Sequence, residues 1–220
     1  LYAKQAADRG AVCILCQSQP LPHLPCVAVQ DVRAALAKAA GAWYGHPARK
    51  LTVLGVTGTN GKTTVTYLLR HILTSAGVPT GLIGTVQNLI GERALPARRT
   101  TPDALEIQGL LAQMACGGCT HAVMEVSSHG LDQHRVDGID FAVGIFTNLT
   151  EDHLDYHGTM ERYCAAKAKL FQHCRAAVCN ADDPWTPQLL SGVTCPVTRY
   201  GLTKPADLWA ENLCLEARSV

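Results

Sequence analysis

The chain has 220 residues, 47% of them hydrophobic and 17% charged, which is enough for one large domain or for one domain with part of another. Its 19 Lys+Arg against 18 Asp+Glu show neither the basic excess of a nucleic-acid binder nor the acidic excess of a disordered chain. No apolar run reaches the roughly 20 residues of a membrane helix, and no basic start leads into an apolar stretch, so a cytoplasmic protein without membrane contact is expected.

The chain opens on Leu1, which reads as a processing point or as the start of a piece of something longer. Residues 3–9 look like the end of a helix closed by Gly10, and 11–16 like a buried strand. The segment 19–25 carries three prolines and reads as a loop. Asp31 can cap a helix over 32–40, with Gly41 as its stop. Residues 41–50, rich in Gly, Pro and aromatics, look like a linker. The main boundary falls there, giving a first unit of residues 1–48 and a second of 49–220.

From residue 51 the pattern becomes strand, turn, helix, repeated. Residues 51–56 are apolar and β-branched, a buried strand. Val65, Leu68, Leu69, Ile72, Leu73 and Ala76 trace one face of an amphipathic helix, ended by Gly77 and Pro79. Residues 81–86 read as a second strand. Ile107, Leu110, Leu111 and Met114 mark another helix, closed by Gly117 and Gly118. Strands follow at 121–126 and 141–147, a helix at 160–171 and a strand at 176–179. This alternation predicts an α/β fold with a mostly parallel sheet flanked by helices, and ligands beyond the carboxyl ends of its strands.

Ten cysteines are many for this length. Cys13 with Cys16, and Cys116 with Cys119, have Cys-x-x-Cys spacing, but the two pairs lie much too far apart for a zinc ribbon. Reduced thiols, buried or incidental, are the expectation, and without a secretion signal no disulfide framework is expected.

The most informative segment is Thr57-Gly58-Thr59-Asn60-Gly61-Lys62-Thr63-Thr64, between the first strand of the second unit and its helix. Glycines let backbone wrap around phosphate oxygens, and the helix start presents N–H groups and a favourable dipole to an anion. Lys62 suits the β- and γ-phosphates, and the Thr63 hydroxyl suits magnesium. Val56 stands where the usual motif has its first glycine, but the Gly-x-x-Gly-Lys-Thr core is complete. Nucleotide binding follows from these residues alone.

Later strand ends supply the remaining candidates. Glu125 closes a buried strand, so its carboxylate needs a partner: magnesium, or a nearby lysine or backbone group. Asp152 and His153 follow the 141–147 strand, where loops converge on a ligand. His153 and His157 are four apart, compatible with zinc, with magnesium or phosphate through one His, or with a surface pair. Thr101 can cap the next helix while Thr100 faces a ligand. Arg135, near Gln133, can pair with a phosphate or carboxylate. Lys167 and Lys169 lie on a helix, where most lysines are solvated.

Residues 55–64, together with 124–135, 147–158 and Ala165-Ala166-Lys167, resemble the Mur ligases, which build the peptide stem of bacterial peptidoglycan. Within them the likeness is to the MurE type, the UDP-N-acetylmuramoyl-tripeptide synthetases. That family's loop also lacks the first glycine. The resemblance implies that Thr57, Gly58, Thr59, Asn60, Gly61, Lys62 and Thr63 hold ATP, and that Thr63, Glu125 and His153 ligate magnesium. It implies that Thr100, Thr101, Ser127, Gln133 and Arg135 bind UDP-N-acetylmuramoyl-dipeptide, with Arg99 departing from the Asn of some members. Lys167 matches a lysine carried as a carbamate that holds a second magnesium.

The implied reaction phosphorylates the D-Glu carboxylate of UDP-MurNAc-L-Ala-D-Glu with ATP. The amine of diaminopimelate or lysine then attacks the acyl phosphate, with Lys62, Glu125, His153 and Lys167 as the catalytic set. Family members have three domains and are monomers. Residues 1–48 match the later part of the uridine-binding domain, and 49–220 most of the central ATP-binding domain. On that basis the 220 residues are expected to be a segment that binds nucleotide without completing ligation. Folylpolyglutamate synthetase, a non-catalytic nucleotide-binding module and a generic phosphate-loop switch are the alternatives.

Overall fold

The computed structural model describes residues 2–17, 24–202 and 206–213. Residues 19–23 of the proline-rich segment expected as a loop over 19–25 lie outside the described residues. Helix α1 spans Tyr2–Asp8, with Gly10 beyond it at φ +93°. Strands β1 (Ile14–Cys16) and β2 (Cys26–Ala28) pair in parallel, Ile14 opposite Cys26, in a small sheet of their own. β1 is shorter than expected and only half-buried, because among the described residues β2 is its one neighbouring strand.

Helix α2 spans Val32–Trp43, and the Asp31 carboxylate caps it by accepting from the N–H groups of Arg33 and Ala34 at 2.7 and 2.9 Å. Gly41 does not stop it. Glycine inside a helix costs only about 1 kcal/mol relative to alanine, whereas termination needs a residue in the left-handed region. That residue is Gly45, at φ +68°, where His46 donates to Gly41 O at 2.7 Å and Gly45 to Ala42 O at 3.0 Å. The expected linker is therefore the end of α2 followed by a 3-10 turn, Pro47–Lys50.

Among the described residues the main sheet holds nine strands: β3 (Thr52–Thr57), β4 (Thr80–Ile83), β5 (Gln87–Ile90), β6 (Arg93–Pro96), β7 (His121–Glu125), β8 (Val143–Phe146), β9 (Ala177–Asn180), β10 (Val197–Gly201) and β11 (Leu208–Trp209). Their order is β11-β10-β9-β8-β3-β7-β4-β5-β6. Every pairing is parallel except the edge hairpin, β4–β5 and β5–β6. Alternate residues feed two cores, as a pleated strand requires. Val53, Ile83, Ala122 and Met124 join one, with Ile107, Leu111 and Met114 of helix α4 (Ala104–Cys116). Val56, Leu82 and Val123 join the other, under Val65, Leu69 and Leu73 of helix α3 (Lys62–Ser75). Leu68 and Ile72, expected on that same face, are 55% and 62% exposed, because the sheet covers only one side of α3.

Gly77 and Gly118 end α3 and α4 with positive φ, as the sequence predicts. Asp103, not Thr101, caps α4: it stands next to the first helical residue and accepts from Glu106 N–H at 3.0 Å. Short helices α5 (Ser128–Asp132) and α6 (Leu154–His157) follow β7 and β8. The helix expected over 160–171 is α7 (Met160–Ala168), tightening into a 3-10 turn, Lys169–His173. Helix α8 (Thr186–Leu189) lies between β9 and β10. Among the described residues, no helix is long and apolar enough to cross a membrane.

Candidate nucleotide and ligand site

The loops after β3, β7 and β8 leave the carboxyl ends of three adjacent central strands and meet. The phosphate loop from Thr57 to Lys62 is tied to the β8 loop along its length. Thr59 N–H donates to Asn148 O at 2.8 Å, Asn60 N–H to Asn148 Oδ1 at 2.9 Å, and Thr147 Oγ1 to Asn60 O at 2.6 Å. Gly58, at φ +148°, is required here because a β-carbon on it would overlap Thr147 Oγ1. Gly61, at φ +84°, turns the chain into α3. The Thr57 hydroxyl is buried and has no hydrogen-bond partner among the described residues.

Two lysines converge on this loop. Lys62 Nζ donates to Gly58 O and Thr59 O, both at 2.8 Å, and Lys167 Nζ donates to Gly58 O at 2.9 Å. Burial lowers the Lys62 pKa, while Glu125 and Asp152 hold it up. Lys167 is 1% exposed, and burial first, then the Lys62 ammonium, push it down to about 6 against the pull of Asp152. Its Nζ sits 4.4 Å from the centroid of the Tyr163 ring. Tyr163 is itself buried, with its hydroxyl 3.2 Å from Thr59 Oγ1. Lys169 is not simply solvated: it pairs with Asp132 at 2.7 Å.

Glu125 is 1% exposed at the end of β7. Its carboxylate accepts from Thr63 Oγ1 at 3.0 Å, Thr85 N–H at 2.8 Å and Thr85 Oγ1 at 2.9 Å. None of the ion pairs among the described residues involves it. A β-carbon on Gly84 would strike Glu125 Oε1, so the backbone closes over the carboxylate.

His153 lies on the neighbouring loop at φ +54°, with its ring half exposed beside Asp152. No hydrogen bond or ion pair among the described residues links His153 to Thr63 or Glu125. Its ring packs edge-on against His129, 5.0 Å between centroids, and lies 6.2 Å from Tyr163. His157 is not a surface partner of His153: it is buried, and its Nε2 is 2.9 Å from Ser128 Oγ.

The predicted substrate residues form a second group joined to the first. Thr101 is buried and bridges two strand-end groups, donating to Glu125 O and accepting from Ser127 N–H, each at 2.9 Å. Ser127 caps α5 through Gly130 N–H at 3.0 Å. Thr100 Oγ1 lies 3.0 Å from Thr85 Oγ1 and can donate to it, since the Thr85 hydroxyl proton goes to Glu125. Arg135 donates to Thr101 O at 2.7 Å and to Gln133 Oε1 at 2.6 Å. Burial and the nearby Arg99 guanidinium lower its pKa, and Asp103 opposes them. A cavity of about 360 Å³ opens here, lined by Arg33 and Leu36 of α2 and by Arg99, Asp103, Gln133 and Arg135.

The sequence reading missed Thr85, Tyr163 and Asp183. Asp183 accepts from Leu149 N–H at 2.7 Å and fixes the loop that leads to His153. Thr85 and Tyr163 make their contacts only after strands distant in sequence pair. Asp183 carried one signal, a carboxylate doublet with Asp182 directly after a buried strand.

Parallel strand order, a glycine loop entering a helix and a buried carboxylate at the adjacent strand end define an α/β protein of the phosphate-loop class. The profile described as "Mur ligase middle domain" matches residues 56–220. This chain belongs to the Mur ligase family. It is 43% identical over 216 residues to the UDP-N-acetylmuramoyl-L-alanyl-D-glutamate–2,6-diaminopimelate ligase of Caldanaerobacter subterraneus subsp. tengcongensis, covering 97% of this chain and 45% of that one. A solved structure of a ligase of the same name superposes with a TM-score of 0.80 at 32% identity, covering 94% of this chain and 44% of the other. Folylpolyglutamate synthase of Mycobacterium tuberculosis shares the fold, with a TM-score of 0.63 at 20% identity over 78% of this chain and 48% of its own. The chain thus spans somewhat under half the length of the relatives it matches.

Proposed function

We propose that this chain supplies the nucleotide and sugar-nucleotide half of an ATP-dependent ligase. That ligase would join a diamino acid to the D-Glu of UDP-MurNAc-L-Ala-D-Glu through an acyl phosphate. The relatives' names favour 2,6-diaminopimelate as the amine. The observation that carries this reading is the convergence of Lys62 and Lys167 on Gly58, near a buried Glu125 that makes no direct ion pair among the described residues. Residues 49–220 are read as the ATP-binding domain, and 1–48 as part of the domain for the uridine end, which brings Arg33 and Leu36 to the second cavity.

Backbone N–H groups of the phosphate loop and the Lys62 ammonium would cradle the ATP phosphates. Lys62 now spends its donors on Gly58 O and Thr59 O, and would turn them to the transferring charge. The oxygens at Glu125 fit a hard divalent cation: a buried carboxylate that, among the described residues, accepts from hydroxyl and amide donors, with the Thr63 hydroxyl 3.0 Å away. Bound magnesium there supplies neutralisation of phosphate charge. His153, on the loop opposite, is read as a further ligand.

Lys167 would act as its neutral amine. With a pKa of about 6 it carries a lone pair at pH 7 and can add to carbon dioxide, forming an N–C bond and releasing one proton. The product is an anionic carbamate beside the phosphate loop. Arg135, held by Gln133 and Thr101, would receive a carboxylate of the dipeptide, with Thr100 and Ser127 beside it.

Calorimetric titration with an ATP analogue and magnesium tests the first half, and Lys62→Ala should weaken binding at least ~100-fold. Thermal-shift assays with UDP-MurNAc-L-Ala-D-Glu and with a folate test the second. Stabilisation by the folate alone would replace this reading with the folylpolyglutamate one. Ligation is tested with the complete gene product, by detecting UDP-MurNAc-tripeptide.

A further inference from the structure

The end of the sheet opposite the nucleotide loops carries a pair of thiols. Cys174 follows the Lys169–His173 turn and leads into β9, and Cys195 precedes Pro196 and leads into β10. Those strands are parallel neighbours, with Ala177 opposite Val197, so their backbones run about 4.8 Å apart. The two sulfurs, 21 positions apart in sequence, stand 3.6 Å from each other. Both residues are half-buried at the edge of the larger core.

A cavity of about 520 Å³ opens onto Cys174, lined also by Arg49, Asp140, His173 and Arg175. Cys164 and Cys179, by contrast, are fully buried and pack as small apolar groups. The pair at 174 and 195 is therefore both reachable by a small oxidant and already in sulfur–sulfur contact.

We propose that Cys174 and Cys195 are a disulfide-forming pair, an oxidant-sensitive clamp between the starts of β9 and β10. Hydrogen peroxide balances the step. One thiol takes an oxygen to become a sulfenic acid, releasing one water. The partner sulfur then attacks, the S–S bond forms, and the hydroxyl leaves as a second water with the partner's proton. Burial and the neighbouring Cys195 sulfur raise the Cys174 pKa, so little thiolate is present at neutral pH and oxidation of the pair is slow.

The closed loop would contain Asn180 and Asp183, which hold Thr147 O and Leu149 N–H. The clamp thus fastens the segment that supports the site without using any residue of the site. It stands whether or not the ligase reading does.

The test treats the reduced 220-residue chain with hydrogen peroxide and maps peptides by tandem mass spectrometry. Trypsin cuts on both sides of Cys174, at Lys169 and Arg175. The expected product is that short peptide linked through Cys195, reversed by dithiothreitol and absent in Cys195→Ser. The oxidised chain should melt roughly 6–10 °C higher, as expected for closing a loop of this size. Recovery of the Cys174 peptide unlinked, or linked to Cys179 instead, overturns the proposal. So does a melting gain that persists in Cys195→Ser. The wild-type map decides the question even if that variant fails to fold.

Discussion

Lys62 and Lys167, on different helices, both donate to the carbonyl oxygen of Gly58. Two ammonium groups on one acceptor repel, and burial adds to the cost of charging Lys167. The repulsion is relieved by leaving one of them neutral, and the more buried Lys167 is that one. The Tyr163 ring under its Nζ therefore gains a cation–π contribution only below the Lys167 pKa.

This predicts a pH dependence of stability. Below about pH 6 Lys167 is charged in both the folded and unfolded chain. Between about 6 and its ordinary value near 10.5, the unfolded chain binds the extra proton, so stability rises with pH through that window. The slope from this site is about 1.4 kcal/mol per pH unit. Urea midpoints at pH 7 and pH 9, in buffer free of carbon dioxide, should differ more for the wild type than for Lys167→Met. Equal differences would show that Lys167 is charged at pH 7.

Carbamate formation gives a second outcome. With 13C-labelled bicarbonate, a new carbonyl resonance should appear in the wild-type chain and be missing in Lys167→Ala. In the complete enzyme the same substitution should reduce turnover sharply, and a short carboxylic acid should restore part of it. Full turnover in the Ala variant would remove Lys167 from the mechanism.

Glu125→Gln keeps the shape of the group: its oxygen can still accept from Thr85 N–H, while its NH2 meets the Thr63 and Thr85 hydroxyls, which can accept. It removes a buried negative charge, so the melting temperature should hold or rise. The magnesium dependence of nucleotide affinity should flatten, with affinity at saturating magnesium falling at least ~10-fold, or about 1.4 kcal/mol. An unchanged magnesium titration would mean the cation is held elsewhere.

How far the sequence reveals these groups depends on how local their signals are. Lys62 and Thr63 are legible because the loop and the helix start are contiguous in the chain. Glu125 is legible because a charge at the end of an apolar strand needs a partner. Tyr163 is not, because one aromatic on an amphipathic helix reads as core, and it meets Thr59 only after α7 docks under the phosphate loop. Thr101 has the look of a helix cap, but the cap went to Asp103, one position before α4, freeing Thr101 to bridge Glu125 O and Ser127 N–H. The β5–β6 hairpin escaped notice because four-residue strands at a sheet edge carry almost no periodicity.

Gly58→Ala should fail for a reason that a second change can isolate. The new methyl would meet Thr147 Oγ1, and the backbone would hold φ +148° with a side chain attached. A loss of roughly 2–4 kcal/mol is expected. Thr147→Ala in the same chain removes the overlap but not the φ strain, so it should recover only part of the loss. Additive losses in denaturation midpoints would place the cost wholly in the backbone.

Arg135→Ala separates the two ligands. Among the described residues no hydrogen bond or ion pair joins Arg135 to the phosphate loop, and its guanidinium donates to Thr101 O and Gln133 Oε1 at the mouth of the second cavity. Affinity for UDP-MurNAc-L-Ala-D-Glu should fall ~30-fold, about 2 kcal/mol, for loss of a charge-assisted contact to carboxylate. Affinity for the ATP analogue should stay within about twofold. Arg135→Lys keeps the charge but not the planar fork, so it should recover only part of the loss. Removing Arg135 also leaves Thr101 O without its donor, and a drop of about 1 kcal/mol in stability is expected on that account. Binding must therefore be measured well below each variant's melting range. Sugar-nucleotide affinity equal to wild type under those conditions would place the substrate's carboxylate away from Arg135.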